Sequence, residues 1–439
     1  MKKILFFFVF SICINMGYAQ LGNLLNRAKR KVENKVDQKI DQKMDNAAQK
    51  TVDEADDAIS GKKKKQSSGN GNGNGNSNND DSDSKASGPS PKSFKAYGKY
   101  DFVPGEKIIA FEDFQQDAQG DFPSKWNTNS SGEIKIIEGN KSKWLALSKS
   151  GTFFPEFINS IPENCTIEFD VASSDKYSYY SGYLSFVIAK TTGTKQIFNS
   201  WKGFGAAGRE GIALNIHPQG AGAGDIGMFN YRVWEKGEEI QKNEGNQSNF
   251  TNVKNIAHVA IWRQKNRIRL YLDESKIIDI PRALNSSAYN SIVFFIDYSY
   301  ERNDEYLISN LKVAVGAPDT RNKLLTVGKF VTHGILFDTN SDKIKPESYG
   351  ALKDIANVLN ENADVRVKIV GHTDSDGDDK ANIELSKKRA AAVKISLSKD
   401  FGIDAGRMET DGKGEAEPAD KNITTEGKAN NRRVEFIKL

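Results

Sequence analysis

The stretch Gly371–Ala390, GHTDSDGDDKANIELSKKRA, links the end of a strand to the start of a helix and sets five acidic residues beside four basic ones. Asn382 and Arg389 are seven residues apart, so both lie on one side of the helix, within its apolar stripe. That stripe is predicted to consist of Leu385, Ala392, Val393, Ser396 and Leu397. Because an unpaired buried charge is costly, the guanidinium of Arg389 requires an anionic partner or a ligand.

The segments on either side of this stretch alternate between strand and helix. VRVKIVG, directly before it, alternates apolar and basic residues, which is typical of a strand with one buried face. Further strands are predicted for KFVTHGILFD, RMET and RRVEFIKL, and helices for the segment after Pro346 and for residues 383–399. A sheet with one polar face and helices on the other predicts a two-layer α/β sandwich for residues 325–439.

Two further charged side chains are expected close to Arg389. Asp374 follows the VRVKIVG strand, where loops at the end of an open α/β sheet form ligand crevices. Alternation in the last strand places Arg432 on the core side of the sheet. Its neighbours on that side are Val434 and Phe436, and those on the other side are Arg433 and Glu435. The charges serve either a ligand or an internal Asp374–Arg389 ion pair that closes the domain.

Five motifs, in this order, give the region a family resemblance. They are FDTNSDKI (Phe337–Ile344), GHTDSDG (Gly371–Gly377), NIELSKKRA (Asn382–Ala390), DGKGEAEP (Asp411–Pro418) and NNRRVEF (Asn430–Phe436). With these motifs the C-terminal region resembles the peptidoglycan-associated, C-terminal domain of the OmpA family. The resemblance covers about a quarter of the chain.

The resemblance implies non-covalent binding of the diaminopimelate residue in the peptidoglycan stem peptide. By motif position, Asp374 would bind the ammonium group and Arg389 the carboxylate group of that amino-acid end. The polar pocket would be completed by Asn340, Thr373, Asn382 and Arg432. The chain departs from the family pattern in the loop after Asp374, which is unusually acidic through Asp376, Asp378 and Asp379.

The acidic loop raises the question of a metal site. A calcium loop of the EF-hand type that begins at Asp374 would need a glycine at position 379 and a glutamate at position 385. The chain has Asp379 and Leu385 there. The four histidines of the chain are scattered and lack the spacing of a zinc site. Neither a metal site nor a cofactor is therefore predicted.

Residues 94–318 show a different pattern of short alternating stretches separated by Gly, Asn, Asp and Ser. The clearest are CTIEFDV, GYLSFVIA, HVAIWRQ, RIRLYLD and SIVFFID. Short strands with polar turns and no helical period predict an all-β sandwich of the jelly-roll type. The segment His258–Leu284, HVAIWRQKNRIRLYLDESKIIDIPRAL, resembles concanavalin-like or laminin-G-like domains.

That second resemblance implies sugar binding or, in some relatives, sugar cleavage. The laminarinase-like enzymes place three acids in a Glu-x-Asp-x-x-Glu strand. Here EFDVAS supplies Glu168 and Asp170, but Ser173 occupies the third position, so we expect no enzyme activity. All five tryptophans lie in this region, where core packing is expected. A carbohydrate-binding or polysaccharide-degrading sandwich localised at the wall is the alternative function.

The N-terminal part of the chain has three segments of distinct composition. Residues 1–19 combine two lysines, an apolar run and small residues, which predicts a secretory signal peptide. Residues 20–60 repeat apolar, acidic, amide and basic positions, which predicts an amphipathic helical stalk, either self-associating or solvated. Residues 61–93 are polar and of low complexity, which predicts a disordered linker.

Charge and cysteine content limit the class of protein. Signal cleavage would remove Cys13 and leave Cys165 alone, so no internal disulfide is expected. The formal net charge is only +4 and is spread along the chain, so no nucleic-acid partner is predicted. We therefore expect an exported, non-enzymatic protein of the outer membrane or periplasm. Its expected partners are peptidoglycan and a polysaccharide or envelope protein bound by the β-sandwich.

Overall fold

The computed structural model describes residues 100–439 except for the short segments 140–141, 176, 202–207, 221–224, 286–287, 298–303 and 317–318. The predicted signal peptide, helical stalk and linker lie outside the described residues. The described chain forms a β-sandwich followed by a C-terminal α/β domain. Among these residues, no helix is both long enough and apolar enough to cross a membrane.

The first domain is a sandwich of two antiparallel sheets. Its strands are β1 (Lys107–Glu112), β2 (Trp126–Thr128), β3 (Gly132–Ile136), β4 (Lys143–Leu147), β5 (Gly151–Pro155), β6 (Asn164–Ser173), β7 (Leu184–Ala189), β8 (Gly211–His217), β9 (Gly227–Glu235), β10 (Glu238–Gln247), β11 (Ile256–Gln264), β12 (Arg267–Leu272), β13 (Ser275–Ile280), β14 (Ser291–Ile296) and β15 (Tyr306–Val315), and its helix is α1 (Thr194–Ser200). One sheet has the order β13-β12-β11-β6-β15-β4-β3, with β1 paired to β15. The other has the order β10-β9-β8-β7-β14-β5-β2. The predicted all-β sandwich is confirmed.

Alternation along each strand divides its side chains between two environments. On β7, Phe186 and Ile188 pack into the core between the sheets. Val187 and Ala189 point the other way and pack in a second cluster with residues of α1. This explains why the strand LSFVIA is apolar on both faces. Cys165 is a free thiol inside the main core, and burial raises its pKa to about 12.

The tryptophans serve mainly the packing of the sandwich, as expected. Four of them are buried, namely Trp126, Trp144, Trp201 and Trp234. Trp262 is half-buried, with the guanidinium of Arg269 5.1 Å from the centre of its ring. Phe102 packs edge-on against the same indole at 6.2 Å.

The C-terminal domain has a four-stranded sheet with helices packed against it. Its strands are β16 (Lys329–Thr332), β17 (Val367–His372), β18 (Met408–Gly414) and β19 (Val434–Lys438), and its helices of seven or more residues are α2 (Tyr349–Glu361), α3 (Asp379–Phe401) and α4 (Thr425–Asn431). The sheet order is β16-β19-β17-β18, with β17 and β18 parallel and the other pairs antiparallel. The predicted two-layer α/β sandwich is confirmed.

The first strand and the last helix of this domain differ from the sequence-based expectation. The predicted strand KFVTHGILFD ends at Thr332, because the chain turns at Gly334. A Cβ at Gly334 would lie 2.8 Å from Pro104 and 2.9 Å from Ala351. Helix α4 was not predicted, since TEGKANN has no apolar stripe; the Thr424 side chain caps it by accepting from the amide of Gly427.

The described residues form one compact unit, and the sandwich contacts the C-terminal domain. Tyr100 and Phe102 pack on Tyr271, on the outer face of the sandwich. The same segment touches α2, since a Cβ at Gly350 would lie 2.1 Å from the carbonyl oxygen of Phe102. Segment 100–104 therefore lies between the two domains.

Candidate functional site

The predicted site lies at the end of the C-terminal sheet, where β17 leads into α3. Two glycines hold the strands close to this helix. A Cβ at Gly371 would lie 2.3 Å from the carbonyl oxygen of Ser386, and one at Gly412 would lie 2.3 Å from the amide nitrogen of Lys387. Only glycine permits this approach, which fixes α3 relative to the loop that carries Asp374.

Asp374 is held by one partner on each carboxylate oxygen. Its Oδ2 lies 2.5 Å from Nη1 of Arg432, and its Oδ1 accepts a hydrogen bond from the amide of Asp376 at 3.2 Å. The Asp374 side chain is 12% exposed and that of Arg432 37%. Charge-assisted contacts of this kind orient the carboxylate while the rim of the site stays open to solvent.

Arg389 is half-buried on α3 and is held by neutral groups. Its Nε donates to the carbonyl oxygen of Ser341 at 3.0 Å, and its guanidinium lies 4.9 Å from the centre of the Phe337 ring. Burial and the nearby charge of Arg432 lower the pKa of Arg389, although the group stays protonated at physiological pH. Within the described part of the chain, Arg389 forms no ion pair.

Two further predicted site residues, Asn382 and Thr373, are buried. Asn382 donates to Glu415 at 2.8 Å, to the main-chain oxygen of Asp376 at 3.2 Å and to that of Asp374 at 3.4 Å. The hydroxyl of Thr373 is buried and has no hydrogen-bond partner among the described residues. Such an unpaired group is costly to bury, so water or a bound molecule is the expected partner.

Asn340 lies at the tip of a turn that Phe337 and Ile344 close by an isolated bridge. Its φ of 54° is left-handed, a conformation that asparagine tolerates better than most residues. The hydrogen bond from Arg389 to Ser341 ties this turn to α3. Asn340 is therefore adjacent to the site, and the described residues give it no hydrogen bond to the other predicted members.

The ion pair in the site differs from the internal one considered from the sequence. Asp374 pairs with Arg432, and Arg389 binds the main-chain oxygen of Ser341. The alternative of an internal Asp374–Arg389 ion pair is therefore wrong. Arg432 also does not lie in the last strand, because the ladder begins at Val434. It follows α4 directly and reaches Asp374 from there.

The buried stripe of α3 also differs in detail from the prediction. Val393 and Leu397 are buried, but Leu385, Ala392 and Ser396 are only partly covered. The buried residues are Asn382, Ser386, Ala390, Val393 and Leu397. The buried face of α3 is therefore rotated about the helix axis relative to the predicted one. Arg389 lies at the edge of the core rather than inside it.

The acids after Asp374 have local structural roles. Asp376 pairs with Lys428 of α4 at 2.6 Å. Asp378 caps α3 by accepting from the amide of Ala381 at 3.0 Å. Asp379 lies in the first turn of α3, where a negative charge is favourable. The unusual acidity of the loop is explained by these contacts.

Phe337, Ser341 and Glu415 were not predicted as members of the site. The Phe337 ring packs against the Arg389 guanidinium, and the main-chain oxygen of Ser341 accepts a hydrogen bond from it. Glu415 accepts a hydrogen bond from Asn382 and so orients its side chain. Each contact joins a loop to a helix far away in sequence, so no local periodicity reveals it. Their position in the quoted motifs was the available signal.

The acids of the β-sandwich that resemble part of a glycosidase motif are bound in a buried ion cluster. Glu168 lies 3.0 Å from Lys312 and 3.4 Å from His258, and Asp170 lies 2.7 Å from His258. Asn310 donates to the other oxygen of Asp170 at 2.7 Å. Burial alone would lower the pKa of His258, but the hydrogen bonds to Asp170 and Glu168 outweigh it and raise the pKa to about 10.

A cavity of about 770 Å³ lies on the sheet face of the C-terminal domain beside the sandwich. Its charged lining residues are largely paired with one another. Glu435 contacts Arg433 and Lys329, both at 2.8 Å, and Glu106 pairs with Lys323. None of the predicted site residues lines this cavity.

The comparisons with known proteins concern the same part of the chain. Residues 336–432 match the model of the OmpA family. The C-terminal domain is an OmpA-family domain. Outer membrane porin F of Pseudomonas aeruginosa is 40% identical to this chain over 101 residues, which is 23% of this chain and 29% of the porin. The probable lipoprotein YiaD of Escherichia coli is 42% identical over 104 residues, 24% of this chain and 47% of YiaD. The match thus spans less than half the length of these two relatives.

Solved structures resemble both domains. For the OmpA-family domain, the peptidoglycan-associated lipoprotein from Burkholderia pseudomallei is 28% identical and covers 24% of this chain and 88% of that chain, with a TM-score of 0.23. The carbohydrate recognition domain of Emp47p is 12% identical and covers 48% of this chain and 98% of that chain, with a TM-score of 0.35.

Proposed function

We propose that the OmpA-family domain binds peptidoglycan non-covalently, through the free amino-acid end of a diaminopimelate-type stem peptide. In this proposal Asp374 binds the ammonium group of that end and Arg389 binds its carboxylate. Asn340, Thr373, Asn382 and Arg432 complete the polar surroundings. The family match supports association with the cell wall, and the names of the relatives support a place in the cell envelope. The pocket residues are inferred from motif position and geometry.

The observation that carries the proposal is the difference between the two arginines. Arg432 already has a carboxylate partner in Asp374, whereas Arg389 is half-buried with a carbonyl oxygen and a ring as its partners. A desolvated guanidinium without an anion is unfavourable, and a ligand carboxylate would satisfy it. The ligand ammonium would share Asp374 with Arg432.

The expected affinity is moderate and reversible. Hydrogen bonds to charged groups contribute about 1.5–3 kcal/mol each. Two or three of them determine the binding free energy for one stem peptide. The wall presents many identical stem peptides, so copies held at one surface gain avidity. This suits a linker that holds the wall without a covalent bond.

We further propose that the protein links the wall to the outer membrane or to a partner held by the β-sandwich. By name, the relatives are an outer-membrane porin, a probable lipoprotein and an outer-membrane lipoprotein. These names agree with the predicted location at the outer membrane or in the periplasm. The match covers only part of each relative, so the linker role is proposed for this chain separately from the relatives' names.

We also propose that the chain is not an enzyme. Both acids that could serve a glycosidase, Glu168 and Asp170, are held in ion pairs with Lys312 and His258. A catalytic pair must be available to a substrate, and both carboxylates are already bound by these partners. Turnover of a β-glucan panel by the purified chain would contradict this part of the proposal.

A sedimentation experiment tests the binding proposal. The chain from Gln20 onward is mixed with insoluble peptidoglycan of the diaminopimelate type, and the pelleted fraction is measured. We expect Asp374→Ala and Arg389→Ala each to weaken binding about ten- to a hundredfold. Lys388→Ala, which removes an exposed charge from the same helix, should pellet as the unchanged protein does. Full pelleting of both site variants would refute the proposal.

A further inference from the structure

The OmpA-family domain shares its binding site with a residue of the β-sandwich. Phe111, on β1, presents its ring to Arg432, with the guanidinium 5.3 Å from the ring centre. Arg432 reaches Asp374 with its other side. One guanidinium thus contacts a carboxylate of the pocket and an aromatic ring from the neighbouring domain. Phe111 lies outside the region matched to the family.

The contact belongs to a built interface between β1 and α4. Asn430 donates to the carbonyl oxygen of Ile108 at 3.0 Å and accepts from its amide at 2.9 Å, so its side chain continues the β1 backbone pairing. An apolar cluster of Ile108, Phe111, Ala314 and Ala429 surrounds these bonds. Asn430 is 5% exposed, which leaves little freedom at the point where α4 ends and Arg432 begins.

We propose that Phe111 is a positioning residue for peptidoglycan binding, so that the sandwich and the OmpA-family domain build the pocket together. This inference rests on the proposed function of Asp374 and Arg389. The long arginine side chain has many rotamers, and stacking on a fixed ring restricts it to those that reach Asp374. The ligand then meets a pocket whose charges are already placed.

Two conservative variants separate the ring from the packing. Phe111→Leu keeps an apolar side chain in the cluster but removes the aromatic face, and we expect it to weaken sedimentation with peptidoglycan about three- to tenfold. Phe111→Tyr keeps the aromatic face and should bind within about twofold of the unchanged protein. Ile108→Val trims the same cluster without touching the arginine contact, and should bind normally.

A double-mutant cycle with Arg432→Ala distinguishes positioning from a general effect on the fold. If Phe111 acts through Arg432, Phe111→Leu has no further effect on binding once Arg432 is alanine. If it acts only through domain stability, the two losses multiply, and that outcome would overturn the inference. Thermal melting of each variant shows whether the protein is folded under the binding conditions.

The outcomes also separate this inference from the proposed function. If Arg389→Ala abolishes binding while Phe111→Leu binds like the unchanged protein, the pocket is real and the sandwich does not help to build it. If Arg389→Ala and Asp374→Ala both bind fully, the proposed function fails and Phe111 has no ligand to position. The inference requires that Phe111→Leu weakens binding and that Phe111→Tyr binds normally. It also requires that Phe111→Leu has no further effect on binding when Arg432 is alanine.

Discussion

At the scale of single residues, the site contains groups that the fold leaves incompletely paired. Arg389 is held by neutral partners, and the hydroxyl of Thr373 is buried without a partner among the described residues. Buried polar groups are normally satisfied by the protein or by ordered water, so each exception requires a partner. Thr373 precedes Asp374 directly in the chain, and the charge of Asp374 acts on Arg389.

Replacing Thr373 by valine tests whether its hydroxyl is reserved for a ligand. Removing a buried hydroxyl that has no partner should leave the free energy of unfolding unchanged or raise it by about 1 kcal/mol. The same change should weaken peptidoglycan binding several-fold. Urea denaturation and sedimentation measure the two effects.

Thr332→Val is the matched control for that experiment. Thr332 is also buried, but its hydroxyl accepts a hydrogen bond from the amide of Gly334 at 3.0 Å. Its loss should destabilise the protein by about 1 kcal/mol and leave binding unchanged. Equal destabilisation by the two variants would show that the Thr373 hydroxyl has a structural partner.

At the scale of elements, strands β6 and β11 share a buried ion cluster that should make stability depend on pH. His258 has an ordinary pKa of 6.5, raised to about 10 in the fold by Asp170 and Glu168 against the opposing effect of burial. A raised pKa means that the folded state binds the proton more tightly than the unfolded state. The stabilisation is therefore complete below pH 6.5 and is lost as the pH rises towards 10.

Comparison with His258→Gln isolates this effect. The free energy of unfolding of the unchanged protein should fall by on the order of 1 kcal/mol per pH unit between pH 6.5 and 10, beyond any change in the variant. The variant should be less stable at pH 6.5, because it leaves Glu168 and Asp170 with fewer partners. Parallel pH profiles for the two proteins would contradict the assignment of a protonated His258.

Helix α4 depends on β1, and Asn430 provides the test. Asn430→Ala removes two hydrogen bonds to Ile108 and one to Asp420, and should lower the free energy of unfolding by about 2–4 kcal/mol. Asn362→Ala removes a single bond, to the carbonyl oxygen of Val358, and should cost about 1 kcal/mol. Similar losses for both variants would mean that the interface contributes little to stability.

The same elements show where sequence reasoning succeeds and where it ends. Short apolar stretches bounded by polar turns predicted β6, β7, β11, β12 and β14, although β7 and β14 are buried along their whole length. Motif position placed Asp374 and Asn382 near one loop, and the Asn382 side chain donates to the main-chain oxygen of Asp374. Helix α4 was missed, because it is held by a capping threonine and by β1 rather than by an apolar stripe.

Contacts made across the chain were beyond prediction for the same reason. The pairing of Arg432 with Asp374 and with Phe111 depends on where α4 ends, which no local pattern specifies. The acid cluster of Glu168 and Asp170 was noted from its motif, but its neutralisation by Lys312 and His258 comes from neighbouring strands. Local periodicity gives elements, and tertiary packing selects partners.

At the scale of the whole molecule, the sandwich and the OmpA-family domain should unfold as one cooperative unit. Segment 100–104 packs against both, and β1 contacts α4. Calorimetry of the chain from Gln20 onward should therefore show a single transition for the two domains. Two separate transitions in the unchanged protein would contradict the interface.

Gly350→Ala tests that coupling directly. The added methyl group would lie 2.1 Å from the carbonyl oxygen of Phe102, so it should displace the segment and split the transition into two. Gly406→Ala adds a methyl group with only ordinary contacts, the nearest at 3.4 Å, and should keep one transition. Splitting in both variants would indicate an effect of alanine itself rather than of the interface.

The most direct test of the central claim compares two kinds of cell wall. Diaminopimelate-type peptidoglycan offers an ammonium and a carboxylate on one free end, whereas lysine-type peptidoglycan offers the ammonium without that carboxylate. Because Arg389 is assigned to the carboxylate, the chain from Gln20 onward should sediment with the first and remain in solution with the second. Equal sedimentation with both walls would contradict the assignment of Asp374 and Arg389 to a zwitterionic ligand.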